Sequence, residues 1–162
     1  PAIPQLLKEH FLHGWADMTK PNQVERELLS GRKMRGRREA VDTARELVTD
    51  KGCRVTLVTS RLTPDVLAGT VETLAVTKDD AWVVRTPLVE RKPTPNGQGD
   101  TFSSVALGTY LKTKSAKDAL EAAVNTLYGL VSHMDSGALD LPLIDEQRQI
   151  LSPEHRFEAV RC

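Results

Sequence analysis

RREAVDTARELVTDKGCRVTLVTS, residues 37–60, predicts a helix, a turn and a buried strand in succession. The apolar residues of 38–50 recur at the spacing of one helix face, and they are Ala40, Val41, Ala44, Leu47 and Val48. Gly52 suits the end of this helix, because glycine readily adopts the left-handed conformation found there. Residues 54–60 are short, β-branched and almost continuously apolar, which is typical of a buried parallel strand. This helix–strand succession predicts an α/β fold.

The patterns on either side of this segment predict further helices and strands. Helices are predicted over residues 3–13, from the turn at Pro21 to Gly31, from Asp100 to Lys112, along the apolar stripe from Ser115 to Met134, and over residues 145–151. Strands are predicted over residues 16–19, 70–77 and 81–86, the last two joined by a hairpin turn.

Composition places the chain among ordinary globular proteins. Its 162 residues are 40% hydrophobic and 27% charged, which favours one domain spanning residues 1–162. The formal net charge of zero gives no argument for a nucleic-acid or membrane partner. Cys53 and Cys162 suggest no disulfide framework, and no apolar stretch approaches the roughly 20 residues of a membrane span. We therefore expect a cytoplasmic protein, and the Pro1 start suggests a fragment.

A basic run occupies residues 32–38, and its members are Arg32, Lys33, Arg35, Arg37 and Arg38. Such a run is compatible with nucleic-acid binding. It is equally compatible with an exposed loop and helix start whose charges face water. Because no aromatic residue interleaves with the run, we favour the second interpretation.

The segment NGQGD, residues 96–100, admits a chemical and a structural interpretation. Gly97 and Gly99 permit a tight turn and a close approach of the backbone to a ligand. Backbone N–H groups from Gln98 onwards could face an anion at the helix start, where Asp100 could accept a proton from the group being phosphorylated. Alternatively, Asp100 is the N-cap of the helix, and the pattern by itself favours this interpretation.

Two other pairs of residues carry the same ambiguity. Asn22 and Glu25 share a face at a helix start, where they could hold Mg²⁺-bound water near phosphates, or simply cap the helix. Thr59 and Ser60 end the buried strand, and ligands of open α/β sheets lie beyond the carboxyl ends of strands. Their hydroxyl groups could contact a phosphate or ribose, or only make hydrogen bonds at the strand end.

The order of these motifs resembles that of the ribokinase-like superfamily of small-molecule kinases. Within it, the chain is similar to the C-terminal half of the pyridoxal kinase family. ADMTKPNQVERELLSG, residues 16–31, resembles that family's ADMITPNQFEAELL block. AWVVRTPLV, residues 81–89, resembles the segment before the family's glycine motif, and SPEHRFEAV, residues 152–160, resembles its C-terminal tail. The resemblance implies a three-layer αβα fold with a mostly parallel central sheet, here lacking its N-terminal half.

The resemblance also implies an activity and a role for each candidate residue. The family transfers a phosphoryl group from ATP to the 5′-hydroxymethyl group of pyridoxal, pyridoxine or pyridoxamine, with Mg²⁺ and often K⁺, usually as a homodimer. Asp100 would be the general base, and Gly97, Gln98 and Gly99 would form the anion hole. Asn22 and Glu25 would act near Mg²⁺ and the ATP phosphates, with Glu25 as the metal-site residue. Thr59 and Ser60 would line the nucleotide site.

The chain departs from the family pattern at several points, which keeps alternatives open. Lys20 stands where the family commonly has Thr, and Gln98 stands where it usually has a small residue. The hydroxymethylpyrimidine kinase branch commonly has Cys at the position of Asp100. Sugar kinases of the superfamily usually have Asp-Thr-Thr where this chain has residues 94–96. There are two alternatives to a pyridoxal kinase. The chain could belong to another small-molecule kinase of the superfamily, or it could be a catalytically incomplete fragment that depends on a partner.

Overall fold

The computed structural model describes residues 16–61 and 63–162, together with Gln5, Leu6, Glu9 and Gly14, and for Arg61 the backbone only. Its helices are α1 (Gln23–Ser30), α2 (Arg37–Lys51), α3 (Gln98–Thr113), α4 (Ala116–Ser132) and α5 (Arg148–Leu151). Its strands are β1 (Met18–Thr19), β2 (Val55–Arg61), β3 (Thr70–Val76), β4 (Ala81–Pro87) and β5 (Val160–Arg161). The α/β class is therefore confirmed. The helix predicted over residues 3–13 lies mostly outside the described residues.

The chain divides into two compact units. The sheet unit comprises the described residues up to Arg85 together with Val160–Cys162, and it contains α1, α2 and nearly all of the sheet. The helical unit is Thr86–Ala159, and it contains α3, α4 and α5. The single domain predicted from chain length stays a prediction.

The sheet has the strand order β1-β2-β3-β4-β5. β1 and β2 are parallel, with Met18 opposite Val55, whereas β2–β3 and β4–β5 are antiparallel. This pairing corrects the expectation of a mostly parallel sheet. Short connections without a helix follow β2 and β3, and a parallel neighbour would need a crossover of a dozen or more residues. The apolar run of β2 predicted burial correctly, but burial does not determine the direction of the neighbouring strand.

Helix α2 supplies much of the core of the sheet unit. The five residues of its predicted apolar stripe are all buried, and the helix packs against β2 and β3. Gly52 ends it with a φ of 74°, as the sequence predicts. Cys53 is also buried, and burial raises the pKa of its thiol, as expected for an unreactive cysteine.

The basic run is largely paired with acidic residues. Arg32 pairs with Glu46, and Arg38 lies 3.9 Å from Asp42. Arg37 pairs with Glu72, whose fully buried carboxylate also accepts a 2.7 Å hydrogen bond from Arg85. The exposed pairs of Arg32 and Arg38 support the interpretation of the run as a solvated loop and helix start, whereas Arg37 is partly buried against Glu72.

Helix α1 buries a charged residue and exposes apolar ones. Arg26 is 2% exposed, whereas Val24 is 74% exposed. The Nε of Arg26 has no hydrogen-bond partner among the described residues, although the charge of Glu46 lies close enough to affect the pKa of Arg26. Burial outweighs that attraction and lowers the pKa of Arg26 to about 10. Burial of this charged guanidinium therefore destabilises the folded state.

Replacing Arg26 with Met should stabilise the fold by about 1–3 kcal/mol, because Met fills similar space without a buried charge. Urea unfolding measures the change. Arg38→Met is the matched control, since the Arg38 side chain is 95% exposed and its removal should change the free energy of unfolding by less than about 0.5 kcal/mol. An Arg26→Met variant no more stable than the natural chain would show that the guanidinium is well accommodated.

The helical unit is built on α3 and α4, which pack against each other. The predicted stripe of α4 is buried, apart from Leu127, which is partly buried. The Asn125 side chain exchanges two hydrogen bonds with the backbone of Phe157, at 2.7 and 3.2 Å, and so holds the C-terminal tail against α4. No helix in the described part of the chain combines the length and apolar character that crossing a membrane requires.

Candidate functional site

The glycine turn begins α3 earlier than the sequence predicts. Gly97 is the N-cap, with a φ of 79° in the left-handed region, and the helix starts at Gln98. Asp100 is therefore the third residue of the helix, and the N-cap interpretation of Asp100 is wrong. Glycine adopts this φ without the steric cost that other residues bear. The helix can therefore begin at Gln98, two residues before Asp100.

The first turn of α3 presents open hydrogen-bond donors. Thr101 makes the first hydrogen bond within the helix, donating to the Gly97 carbonyl at 2.9 Å. The backbone N–H groups of residues 97–100 donate to no acceptor within the described chain. Helix N-termini carry the positive end of the helix dipole, and open donors there favour an anion.

The other longer helices of the described chain satisfy their first turn with side chains. Asn22 accepts from the Glu25 N–H in α1, and Ser115 accepts from the Asp118 N–H in α4. In α2 the Arg37 N–H donates to Asp65 at 2.8 Å. Only α3, among these four, begins with no side-chain acceptor.

The Asp100 carboxylate is exposed beside these donors and makes no hydrogen bond or ion pair with a described residue. The neighbouring Gln98 side chain turns back on the loop, donating to the Pro95 carbonyl at 3.1 Å. Ser103 likewise bonds within the helix, to the Gly99 carbonyl at 2.7 Å. The turn therefore combines open N–H groups with a carboxylate that makes no hydrogen bond or ion pair within the described chain.

Asn22 and Glu25 form a reciprocal capping box at the start of α1. The Asn22 side chain accepts from the Glu25 N–H, and the Glu25 carboxylate accepts from the Asn22 N–H, both at 2.8 Å. The structural interpretation of this pair is confirmed. The box uses one oxygen of each side chain, so the second carboxylate oxygen of Glu25 makes no hydrogen bond with a described residue. A role toward a ligand stays a prediction.

Thr59 and Ser60 lie next to that capping box. Thr59 forms an isolated parallel bridge with Asn22, and its N–H donates to the Pro21 carbonyl at 3.3 Å. The register of β2 against β3 shifts after Val58, and Ser60 has a φ of 56°, a strained value for a residue other than glycine. The sheet thus brings all four sequence-predicted residues of this unit to the carboxyl ends of the adjacent parallel strands β1 and β2.

Metal binding would have to rely on few protein ligands here. No group of three or more His, Cys, Asp or Glu side chains able to hold a metal occurs among the described residues. Mg²⁺ commonly uses one or two carboxylates, with waters and substrate phosphates completing its octahedron. The single hard oxygen of Glu25 fits that manner of binding.

A cavity of about 280 Å³ in the helical unit was missed by the sequence analysis. Residues 90–93 line one side and residues 134–138 the other. The first segment leads into the glycine turn, and the Asn96 N–H donates to the Leu139 carbonyl at 2.8 Å. Gly137, with a φ of 81°, lies in the second segment, but sequence spacing gives no sign that the two segments lie together.

Comparison with known proteins identifies the family. The sequence model described as phosphomethylpyrimidine kinase matches residues 2–141. The chain belongs to the phosphomethylpyrimidine kinase family. Pyridoxal kinase PdxY of Deinococcus radiodurans is 36% identical over 99% of this chain and 55% of its own length. The corresponding protein of Leifsonia xyli subsp. xyli is 34% identical over 99% of this chain and 56% of its own length.

Solved structures show the same fold. Pyridoxal kinase from Entamoeba histolytica has a TM-score of 0.81 at 23% identity, covering 98% of this chain and 55% of that one. Pyridoxal kinase from Leishmania donovani in complex with ADP has a TM-score of 0.84 at 16% identity, covering 100% and 57%. The predicted resemblance and the ribokinase-like fold are confirmed. The chain spans about half the length of the curated relatives it matches.

Proposed function

We propose that the protein containing this chain is a kinase that transfers a phosphoryl group from ATP to the 5′-hydroxymethyl group of pyridoxal, pyridoxine or pyridoxamine. The observation that carries the proposal is the open first turn of α3, where uncapped N–H groups lie beside the unengaged carboxylate of Asp100. The relatives named pyridoxal kinase supply the substrate class.

The proposed chemistry follows from that turn. Asp100 accepts the proton of the substrate hydroxyl as its oxygen attacks the γ-phosphorus of ATP. The bond between that phosphorus and the oxygen bridging to the β-phosphate breaks, and ADP leaves. The N–H groups of Gly97, Gln98 and Gly99 donate to the phosphoryl oxygens, whose charge they stabilise in the transition state.

The residues at the ends of β1 and β2 are proposed to bind the nucleotide. Thr59 and Ser60 offer hydroxyl groups to its phosphates or ribose, and the capping box holds Asn22 and Glu25 in place. Glu25 would hold Mg²⁺ through water, and the ion would neutralise phosphate charge when bound. The K⁺ requirement and the homodimer implied by the resemblance stay predictions.

The cavity of the helical unit is proposed to receive the adenine end of ATP. Its volume of about 280 Å³ approaches that of small-ligand pockets, roughly 300–1,000 Å³. Because residues 90–93 continue directly into the turn, a ligand could occupy the cavity and extend its phosphates toward Gly97.

Replacing Gly99 with Val should weaken binding of a non-hydrolysable ATP analogue with Mg²⁺ by at least about tenfold, because the branched side chain blocks close approach to the backbone N–H groups. Calorimetric titration of the full-length protein measures this. Gly108→Val is the matched control, since Gly108 is exposed on the same helix and its added Cβ meets nothing within 4 Å. If Gly99→Val binds the ATP analogue with unchanged affinity, this turn does not form the anion hole.

A second candidate is phosphorylation of a hydroxymethylpyrimidine, which the description of the matching family model favours. Initial rates on the three B6 vitamers, a hydroxymethylpyrimidine and a sugar distinguish the candidates. A higher kcat/KM on a B6 vitamer is expected. A preference for the pyrimidine or the sugar would overturn the proposed substrate while keeping the kinase.

A further inference from the structure

We infer that Asn96 and Asp140 form a positioning pair that holds the glycine turn in the conformation that presents its N–H groups. The inference rests on the proposed function for its effect on catalysis, but the pair itself is a feature of the helical unit. Asn96 is the residue immediately before the N-cap Gly97, and Asp140 lies 44 positions further along the chain.

Two segments of the helical unit, residues 91–96 and 131–140, are joined by hydrogen bonds at both ends. At one end Arg91 donates two hydrogen bonds to the carbonyls of Val131 and Ser132, at 3.0 and 2.9 Å. At the other end the Asn96 N–H donates to the Leu139 carbonyl at 2.8 Å, and Asn96 Nδ2 donates to Asp140 Oδ1 at 3.3 Å. The cavity lies along these segments, lined by residues 90–93 and 134–138.

The hydrogen bonds of Asn96 to Leu139 and Asp140 act directly on the glycine turn. Because the Asn96 N–H is already used, the series of open donors begins at Gly97. Glycine alone restricts its backbone little, so a turn with glycines at positions 97 and 99 needs an external constraint to hold one conformation. Gln98 constrains the turn through its hydrogen bond to Pro95, and Asn96 constrains it through its hydrogen bond to Asp140.

The pair lies at the surface of the helical unit and not in its core. Asn96 and Asp140 are both exposed, and exposed hydrogen bonds to charged groups are weakened by competition with water. Its charge does have a local consequence, because a free carboxylate near an anion site would repel the anion. Hydrogen bonding to Asn96 fixes the position of the Asp140 charge. We therefore assign the pair to the local conformation of the turn, where it adds to the backbone hydrogen bond between Asn96 and Leu139.

The test reverses the pair in the full-length protein. Asn96→Asp sets two carboxylates against each other, and adding Asp140→Asn restores one donor and one acceptor in the opposite sense. We expect the backbone order parameters of the Gly97 and Gly99 amides, measured by NMR without nucleotide, to fall from about 0.85 toward 0.6 in Asn96→Asp. They should return to the natural value in the double variant. Asp145→Asn, an exposed acid outside the pair, should change nothing.

Kinetics supply the second readout. In Asn96→Asp, kcat should fall about 10- to 100-fold, as expected when a site is displaced by up to about 1 Å, and the double variant should recover most of it. Unchanged order parameters in Asn96→Asp would overturn the positioning role of the pair, and so would order parameters that do not recover in the double variant. Either result would hold even if the added charge by itself lowered kcat. If the natural protein phosphorylates no substrate, the proposed function fails, and the order parameters still decide the pair.

Discussion

Asp100→Asn should lower kcat by about 10²- to 10⁴-fold while leaving the affinity for ATP nearly unchanged. The amide is nearly the same size as the carboxylate but cannot accept the hydroxyl proton, and general-base catalysis contributes a factor of this size. ATP binding should persist because the N–H groups of the turn belong to the backbone. Single-turnover rates on pyridoxal and calorimetric titration of an ATP analogue measure the two quantities separately.

The next helix supplies a matched control for this prediction. Asp118 is the third residue of α4, as Asp100 is of α3, and both are exposed. Asp118→Asn therefore removes the same favourable interaction with a helix dipole, about 0.3–1 kcal/mol, without touching the glycine turn. It should leave kcat unchanged. If both variants lose activity equally, or if Asp100→Asn retains full turnover, Asp100 is not the general base.

The position of Asp100 shows that local sequence rules did not predict the first residue of α3 correctly. Asp is among the best N-cap residues, so the helix was predicted to start there. The structure starts it at Gln98, because Gly97 adopts a left-handed conformation that no propensity scale requires of it. The same rules predicted the capping interaction of Asn22 and Glu25 as one of two alternatives, and it is present because both partners are local.

Features that depend on distant residues were not predictable in the same way. The apolar run of β2 indicated burial, but the antiparallel pairing with β3 depends on the connection that follows. The positive φ of Ser60 occurs where the register of two strands shifts, and residues 54–60 alone carry no sign of it. The cavity joins segments about 40 residues apart, which periodicity within a window cannot detect.

Glu72→Gln should lower the free energy of unfolding by about 2–3 kcal/mol. The Glu72 side chain is fully buried on β3 and accepts hydrogen bonds from Arg37 on α2 and Arg85 on β4. Its hydrogen bonds raise the pKa of Arg37. Gln would present an amide donor where two guanidinium groups require acceptors, so that the guanidinium N–H groups facing residue 72 would lose partners. The two arginine side chains are 32% and 43% exposed, so water relieves part of the loss, and the expected cost lies below the 3–5 kcal/mol typical of a fully buried pair.

Urea unfolding at low and high salt measures the effect and separates it from surface electrostatics. Asp42→Asn is the control, because Asp42 pairs with Arg38 at 3.9 Å with both side chains mostly exposed. It should cost less than about 0.5 kcal/mol, an amount that salt removes. The cost of Glu72→Gln should persist in salt, since the carboxylate it replaces is shielded from ions. A cost that salt abolishes would mean that water already reaches Glu72, and that its ion pairs with Arg37 and Arg85 stabilise the fold no more than a surface pair does.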